Sequence, residues 1–195
     1  MTNGDREDGA GALARDFVPA AHRDLLLLRL LLPFIGEAGV VVRWSRYVDL
    51  ERVDASVDWF EATRGVVGAD DLASCRGELD EDTAAALRDA IGGRELPSLR
   101  WTGYGEAPED APTVRVRGVE YAQAPLTAGD VVAGRRVPEF AWDGTGQLAW
   151  GGRLYPDSLV VAAAPSIFRQ LHLDARVDVV SVRSDRDILP PSTGD

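Results

Sequence analysis

Two histidines, His22 and His172, a single cysteine, Cys75, and the absence of any lysine limit the side-chain chemistry open to this chain, whose 21 basic residues are all arginine. A Schiff-base or phosphate-binding lysine is excluded, as are a clustered His/Cys metal site and a redox CxxC pair. His22-Arg23-Asp24-Leu25 imitates the opening of a kinase catalytic loop, but no metal-binding Asn follows and the residues run on into a leucine cluster broken only by Arg29. His172, with Asp174 just after it and Ser158 or Ser166 near in sequence, is the better candidate for Ser–His–Asp catalysis. No GxSxG elbow accompanies it, so an ordinary helix-terminal histidine is expected. Cys75 reads as a small buried thiol in a reducing, cytoplasmic setting, since a lone cysteine forms no internal disulfide.

Carboxylates are plentiful, and their placement points to structure rather than catalysis. Asp80-Glu81-Asp82 and Asp70-Asp71 sit where acids stabilise helix N-termini, and no DxDxDG loop is present. No metal and no cofactor are expected. The aromatic residues offer the alternative. Trp101, Tyr104, Trp142, Trp150 and Tyr155 fall in predicted strands, where alternate residues share one face. They can line a small-ligand or enzyme pocket with Arg100, Arg153 and Glu139 at its edge, the arginines holding an anionic group and Glu139 or Asp143 acting as base. The same pattern also describes the core of a sheet.

The elements that would position these residues divide the chain unevenly. Residues 1–12 and 184–195 are polar and expected to be mobile, leaving one α+β domain over 13–183 with a helical part, 13–95, and a strand-rich part, 96–183. Pro19 is placed to start a helix through the leucine cluster Leu25–Leu32, buried nearly all round; Arg29, Pro33 and Glu37 argue against a membrane span. Val40–Trp44 reads as a short strand. Asp49 is placed to cap a second helix over 50–63, on which Leu50, Val53, Val57 and Phe60 make a core face and Glu51, Asp54, Asp58 and Glu61 an acidic stripe beside it. Asp80 is placed to cap a third helix, 81–91, ended by Gly92-Gly93. Beyond Leu96 come β-like runs at 98–104, 113–121, 137–142, 147–155, 158–163 and 177–183, with Asp143-Gly144-Thr145-Gly146 as a hairpin turn and one helix at 165–172. The expected fold is therefore an N-terminal helical layer packed on a mostly antiparallel C-terminal sheet.

Gly134-Arg135-Arg136-Val137-Pro138-Glu139-Phe140, followed by Asp143-Gly144 and the apolar run Leu159–Ala163, resembles the opening of the thioredoxin-like tail domains of flavin-dependent aromatic hydroxylases. The resemblance has no counterpart in the helical part, and no residue roles are carried across from it.

Charge is segregated more sharply than the total of -11 conveys. Residues 1–111 hold 22 acids against 12 arginines, whereas 112–195 hold 10 acids against 9. Phosphates would be repelled, so neither nucleic acid nor an anionic membrane is an expected partner; a basic protein surface would be attracted. The leading expectation is a non-catalytic acidic protein, of immunity, antitoxin or adaptor type, that binds a basic protein through Glu51, Asp54, Asp58 and Glu61, with Asp80, Glu81 and Asp82 second. The sequence leaves the oligomeric state open.

Overall fold

The leucine run forms a strand where a helix was expected. The computed structural model describes residues 13–53, 58–108, 110–116, 118–152 and 156–185, and in it Leu26–Leu31 is β1, buried from Leu27 onward. An apolar run of this length without alternation serves equally as a helix buried all round or as a central strand covered on both faces. Pro33 terminates it soon after.

In chain order the remaining elements are β2 (Phe34–Ile35), β3 (Val41–Val42), α1 (Trp59–Ala62), β4 (Ala73–Ser74), α2 (Glu81–Ile91), β5 (Leu96–Trp101), β6 (Thr113–Val116), β7 (Val119–Leu126), β8 (Phe140–Trp142), β9 (Leu148–Gly151), β10 (Ser158–Ala163), α3 (Pro165–His172) and β11 (Asp178–Val182). The architecture is α+β, but its described helices lie mid-chain and near the C-terminus, so no N-terminal helical layer forms. The sheet recruits the N-terminal part instead. Eight antiparallel strands run in the order β11-β1-β10-β9-β8-β5-β7-β6, which seats the leucine strand between two C-terminal ones. A small sheet, β3-β2-β4, stands beside it.

The expected second helix shrinks to α1, because Asp49 closes a local turn by accepting from the Glu51 amide at 3.1 Å, and Asp58 caps a new start by accepting from the Glu61 amide at 2.8 Å. Residues 54–57 lie outside the described residues. The third helix forms as expected, with Asp80 capping it and Gly92 ending it at φ 58°. So does α3, opened by Pro165 at its first position. The hairpin turn at 143–146 joins β8 to β9. Most of the expected tails also fall outside the described residues, although Ser184 is tied in by the Arg15 amide, 3.2 Å from its carbonyl oxygen.

Strand register assigns the two faces of the sheet. Leu28, Leu30, Val161, Trp150, Ala141 and Leu96 point to the face covered by Ala84, Leu87 and Ile91 of α2 and Ile167 and Leu171 of α3. On the opposite face, Leu27 meets Ala14 and Val18 of the N-terminal segment, and Leu31 meets Phe34, Trp44 and Trp59. Between these two clusters lies Arg29, buried, with its Nε donating to the Ser158 hydroxyl at 2.9 Å and its guanidinium 5.8 Å from the Trp44 ring centre. Burial lowers its pKa, and Asp157 opposes that shift.

Candidate functional site

Among the described residues the aromatic pocket suggested by the sequence does not assemble, because the register turns Trp101, Trp142 and Trp150 to different faces; Tyr155 lies outside the described residues. Trp101 and Trp142 point to the face carrying the N-terminal segment, and Trp150 points to the helix-covered face. Trp150 is wholly buried and its indole N–H donates to the Pro138 carbonyl at 3.0 Å. That bond has a consequence for Glu139. In the β5–β8 register Trp101 would pair with Pro138, whose carbonyl is already engaged by the indole; the Glu139 carboxylate takes its place, with Oε2 accepting from the Trp101 amide at 2.8 Å. Glu139 is 0 % exposed, and its Oε1 has no hydrogen-bond partner. Burial pushes its carboxyl above the ordinary range, against the pull of the Trp101 amide and the Tyr104 side chain.

Arg100 is likewise engaged. Its Nη1 donates to Glu106 at 2.9 Å and to the Arg136 carbonyl at 2.7 Å, while Arg136 bridges Glu106 and Glu78 at 2.8 Å each and lies 5.0 Å from the Tyr104 ring centre. This chain of alternating charges ties Nη1 of Arg100 and both terminal nitrogens of Arg136 to acceptors within the protein. Arg153 lies outside the described residues.

Asp143, the alternative base, is an anchor. It is buried, and it accepts from the Thr145 hydroxyl at 2.6 Å, the Gln147 amide at 2.8 Å and His22 Nε2 at 3.3 Å, with Arg94 Nε 3.6 Å away. Burial alone would raise its pKa; these partners outweigh burial and hold it below the ordinary carboxylate range. The contact with His22 spans 121 positions, so no local motif announced it. His22 itself is 2 % exposed. The ordering, an aspartate between threonine and histidine, fits a clamp that fastens the N-terminal segment to the β8–β9 turn, not a nucleophilic relay. His172 is exposed at the end of α3, stacked on Phe168 at 5.7 Å. Cys75 is buried, which pushes its thiol up to about 11. Among the described residues no group of three or more His, Cys, Asp or Glu side chains converges as a metal cage would require, and no helix is long and apolar enough to cross a membrane.

The acidic residues separate into engaged and open sets. Asp80 caps α2 and holds Arg43 at 2.6 Å; Asp82 lies 3.8 Å from the same arginine, and Glu81 pairs with Arg88 at 2.8 Å. Asp58 is spent on the cap of α1. The stripe expected on one helix therefore does not exist as such, and Asp54 lies outside the described residues. Glu51 and Glu61 are exposed and have no ion pair among the described residues, as do Asp70 and Asp71.

Two features escaped sequence reasoning. Phe60, assigned to a core face, is 80 % exposed, and Val67 is 95 % exposed, although Trp59 between Phe34 and Trp44 is buried. A turn of one helix capped at Asp58 directs Trp59 inward and leaves its neighbour outside. The second feature is the edge of the sheet at β11, which forms the floor of a cleft of about 560 Å³ lined by Leu50, Glu51, Val53, His172, Val179, Val180 and Ser181. No protein-family model, no curated protein and no solved structure matches this chain.

Proposed function

We propose that this protein is a non-catalytic binding module whose acidic, partly apolar surface over residues 49–72 engages a basic protein. The observation that carries the reading is the exposed Phe60 ring beside the exposed Glu61 carboxylate, which has no ion pair among the described residues. Exposed large apolar side chains set beside charged ones mark interaction surfaces, the aromatic supplying buried area and the charge supplying steering and orientation; here acids outnumber the exposed Arg52 and Arg64. Glu51, Asp70 and Asp71 extend the acidic field, whereas Asp80, Glu81 and Asp82 are neutralised by Arg43 and Arg88 and contribute less.

The test is co-purification from native host lysate of the wild type and of a Glu51→Lys/Glu61→Lys variant, washed at low and at high salt. A stoichiometric basic protein retained by the wild type at low salt, released at high salt and lost from the variant is the expected result. Equal retention by both proteins, or retention indifferent to salt, refutes an electrostatic role for this surface. Asp58 is left intact because its loss would unmake the cap of α1.

A further inference from the structure

We infer that the free edge of β11 is a docking strip for one extended, basic and aliphatic segment of a partner protein, which joins the sheet as an added strand. The inference rests on the proposed basic partner and states how that partner is gripped.

The hydrogen-bond parity of the sheet identifies the free groups. The Leu32 amide donates to the Asp157 carbonyl at 2.8 Å, so even-numbered residues of the β1 strand bond toward β10 and odd-numbered ones toward β11. Leu27, Arg29 and Leu31 pair with Val182, Val180 and Asp178, which therefore spend their main-chain groups on β1. Val179 and Ser181 direct theirs outward, and among the described residues β11 has no second neighbour. The same parity carried to the other end of the sheet leaves Thr113 and Arg115 outward on β6, where Pro112 precedes the strand and an exposed arginine occupies it. Proline and charge are the usual guards of an edge. The strip Val179-Val180-Ser181 carries neither.

The cleft along this edge selects what can enter. Val179, Val180 and Ser181 form its floor, His172 of α3 rises on one side and Leu50, Glu51 and Val53 on the other. A lone strand entering at the ordinary inter-strand spacing would complete the hydrogen bonds of Val179 and Ser181. A second copy of this chain would bring its own walls into the same space. Alternate residues of the entering segment meet Val180, Leu50 and Val53 on one face of the sheet and Ser181 and His172 on the other, so an aliphatic side chain suits the first face. Glu51, exposed and without an ion pair among the described residues, favours a lysine or arginine beside it.

The experiment uses the full chain, a displayed library of random short peptides and a Ser181→Pro variant. Proline at 181 removes an outward amide while sparing the bonds to β1, and edge positions of this kind tolerate it. Thermal melts verify that the variant folds; Val179→Pro, built on the same logic, replaces it otherwise. Enrichment on the wild type of peptides that alternate aliphatic residues with lysine or arginine, slowed amide exchange at Val179 and Ser181 on their binding, and at least tenfold weaker binding by the proline variant are expected. No enriched peptide, peptides that bind the variant equally, or slow exchange at both amides in the free protein would overturn the inference, the last because the edge is already occupied by the chain itself or by a second copy. The two readings separate: a basic partner held as well by the proline variant as by the wild type leaves the acidic surface standing and removes the edge. Glu51→Lys/Glu61→Lys changes the charge and leaves the edge amides in place.

Discussion

Replacing Gly151 with alanine should cost about 1–5 kcal/mol, although exchanging glycine for alanine within a strand is by itself favourable by roughly 0.5–1 kcal/mol. Gly151 ends β9 on the face where the N-terminal segment crosses the sheet. A Cβ there would collide with the Phe17 carbonyl oxygen, lie 2.8 Å from the Phe17 carbonyl carbon and 3.1 Å from Cδ1 of Phe140. β9 is fixed between β8 and β10, so the N-terminal segment has to retreat by about 1 Å or more to restore ordinary contact. Overpacking of this kind costs about 1–3 kcal/mol. Lifting the segment also uncovers part of Leu27, Val160 and Ala162; if roughly 50–100 Å² returns to water, about 1–2.5 kcal/mol follows. The assay is urea unfolding of both proteins, with trypsin cleavage at Arg15 and Arg23 as the local readout. A fall in midpoint without change in slope, together with faster cleavage at these sites, is expected. A variant that also lacks residues 1–18 should show a much smaller penalty from the alanine, because the Phe17 carbonyl is gone and only the contact with the Phe140 ring remains. A cost below about 0.5 kcal/mol, or equal cost with and without the segment, would refute the packing argument.

Two further outcomes follow from the buried groups. Glu139 has its pKa raised by burial, so between its unfolded and folded values the native state binds more protons and stability falls as pH rises through that window. Glu139→Gln keeps an oxygen for the Trp101 amide and removes the charge; its stability relative to wild type should be higher at neutral pH than in acid, and a denaturation series giving the reverse order would contradict this. Adjacent aromatics should respond in opposite ways: Trp59→Ala, emptying a site packed on Phe34 at 3.9 Å and Trp44 at 4.9 Å, should cost about 3–5 kcal/mol. Phe60→Ala should stay within about 0.5 kcal/mol, and comparable losses in urea melts would show that Phe60 is not the exposed partner-facing residue described above.

Local stereochemistry was legible in the sequence. Asp80 and Gly92 bracket α2, Pro165 opens α3, the Asp-Gly-Thr-Gly turn joins β8 to β9, and β10 spans the residues its apolar run indicated. Each is decided by bonds made within a few residues: a capping carboxylate, a positive φ, a missing amide. The candidate sites were less legible. Arg100, Glu139 and Asp143 could be nominated by type, but not their partners Glu106, Trp101 and His22, which come from distant parts of the chain.

The sequence by itself determined the absence of lysine, the concentration of acid before residue 112, the ends of α2 and α3 and the α+β class. Only the tertiary structure decided that Leu26–Leu31 is a strand, since leucine occupies every position but Arg29 and periodicity cannot distinguish the two forms. Insertion between β10 and β11 settles the matter by supplying main-chain partners along both edges of that strand. The same insertion places β11 at the margin of the sheet and turns the amides of Val179 and Ser181 to solvent. Strand order and hydrogen-bond parity are properties of the assembled sheet, and no single segment of the sequence encodes them.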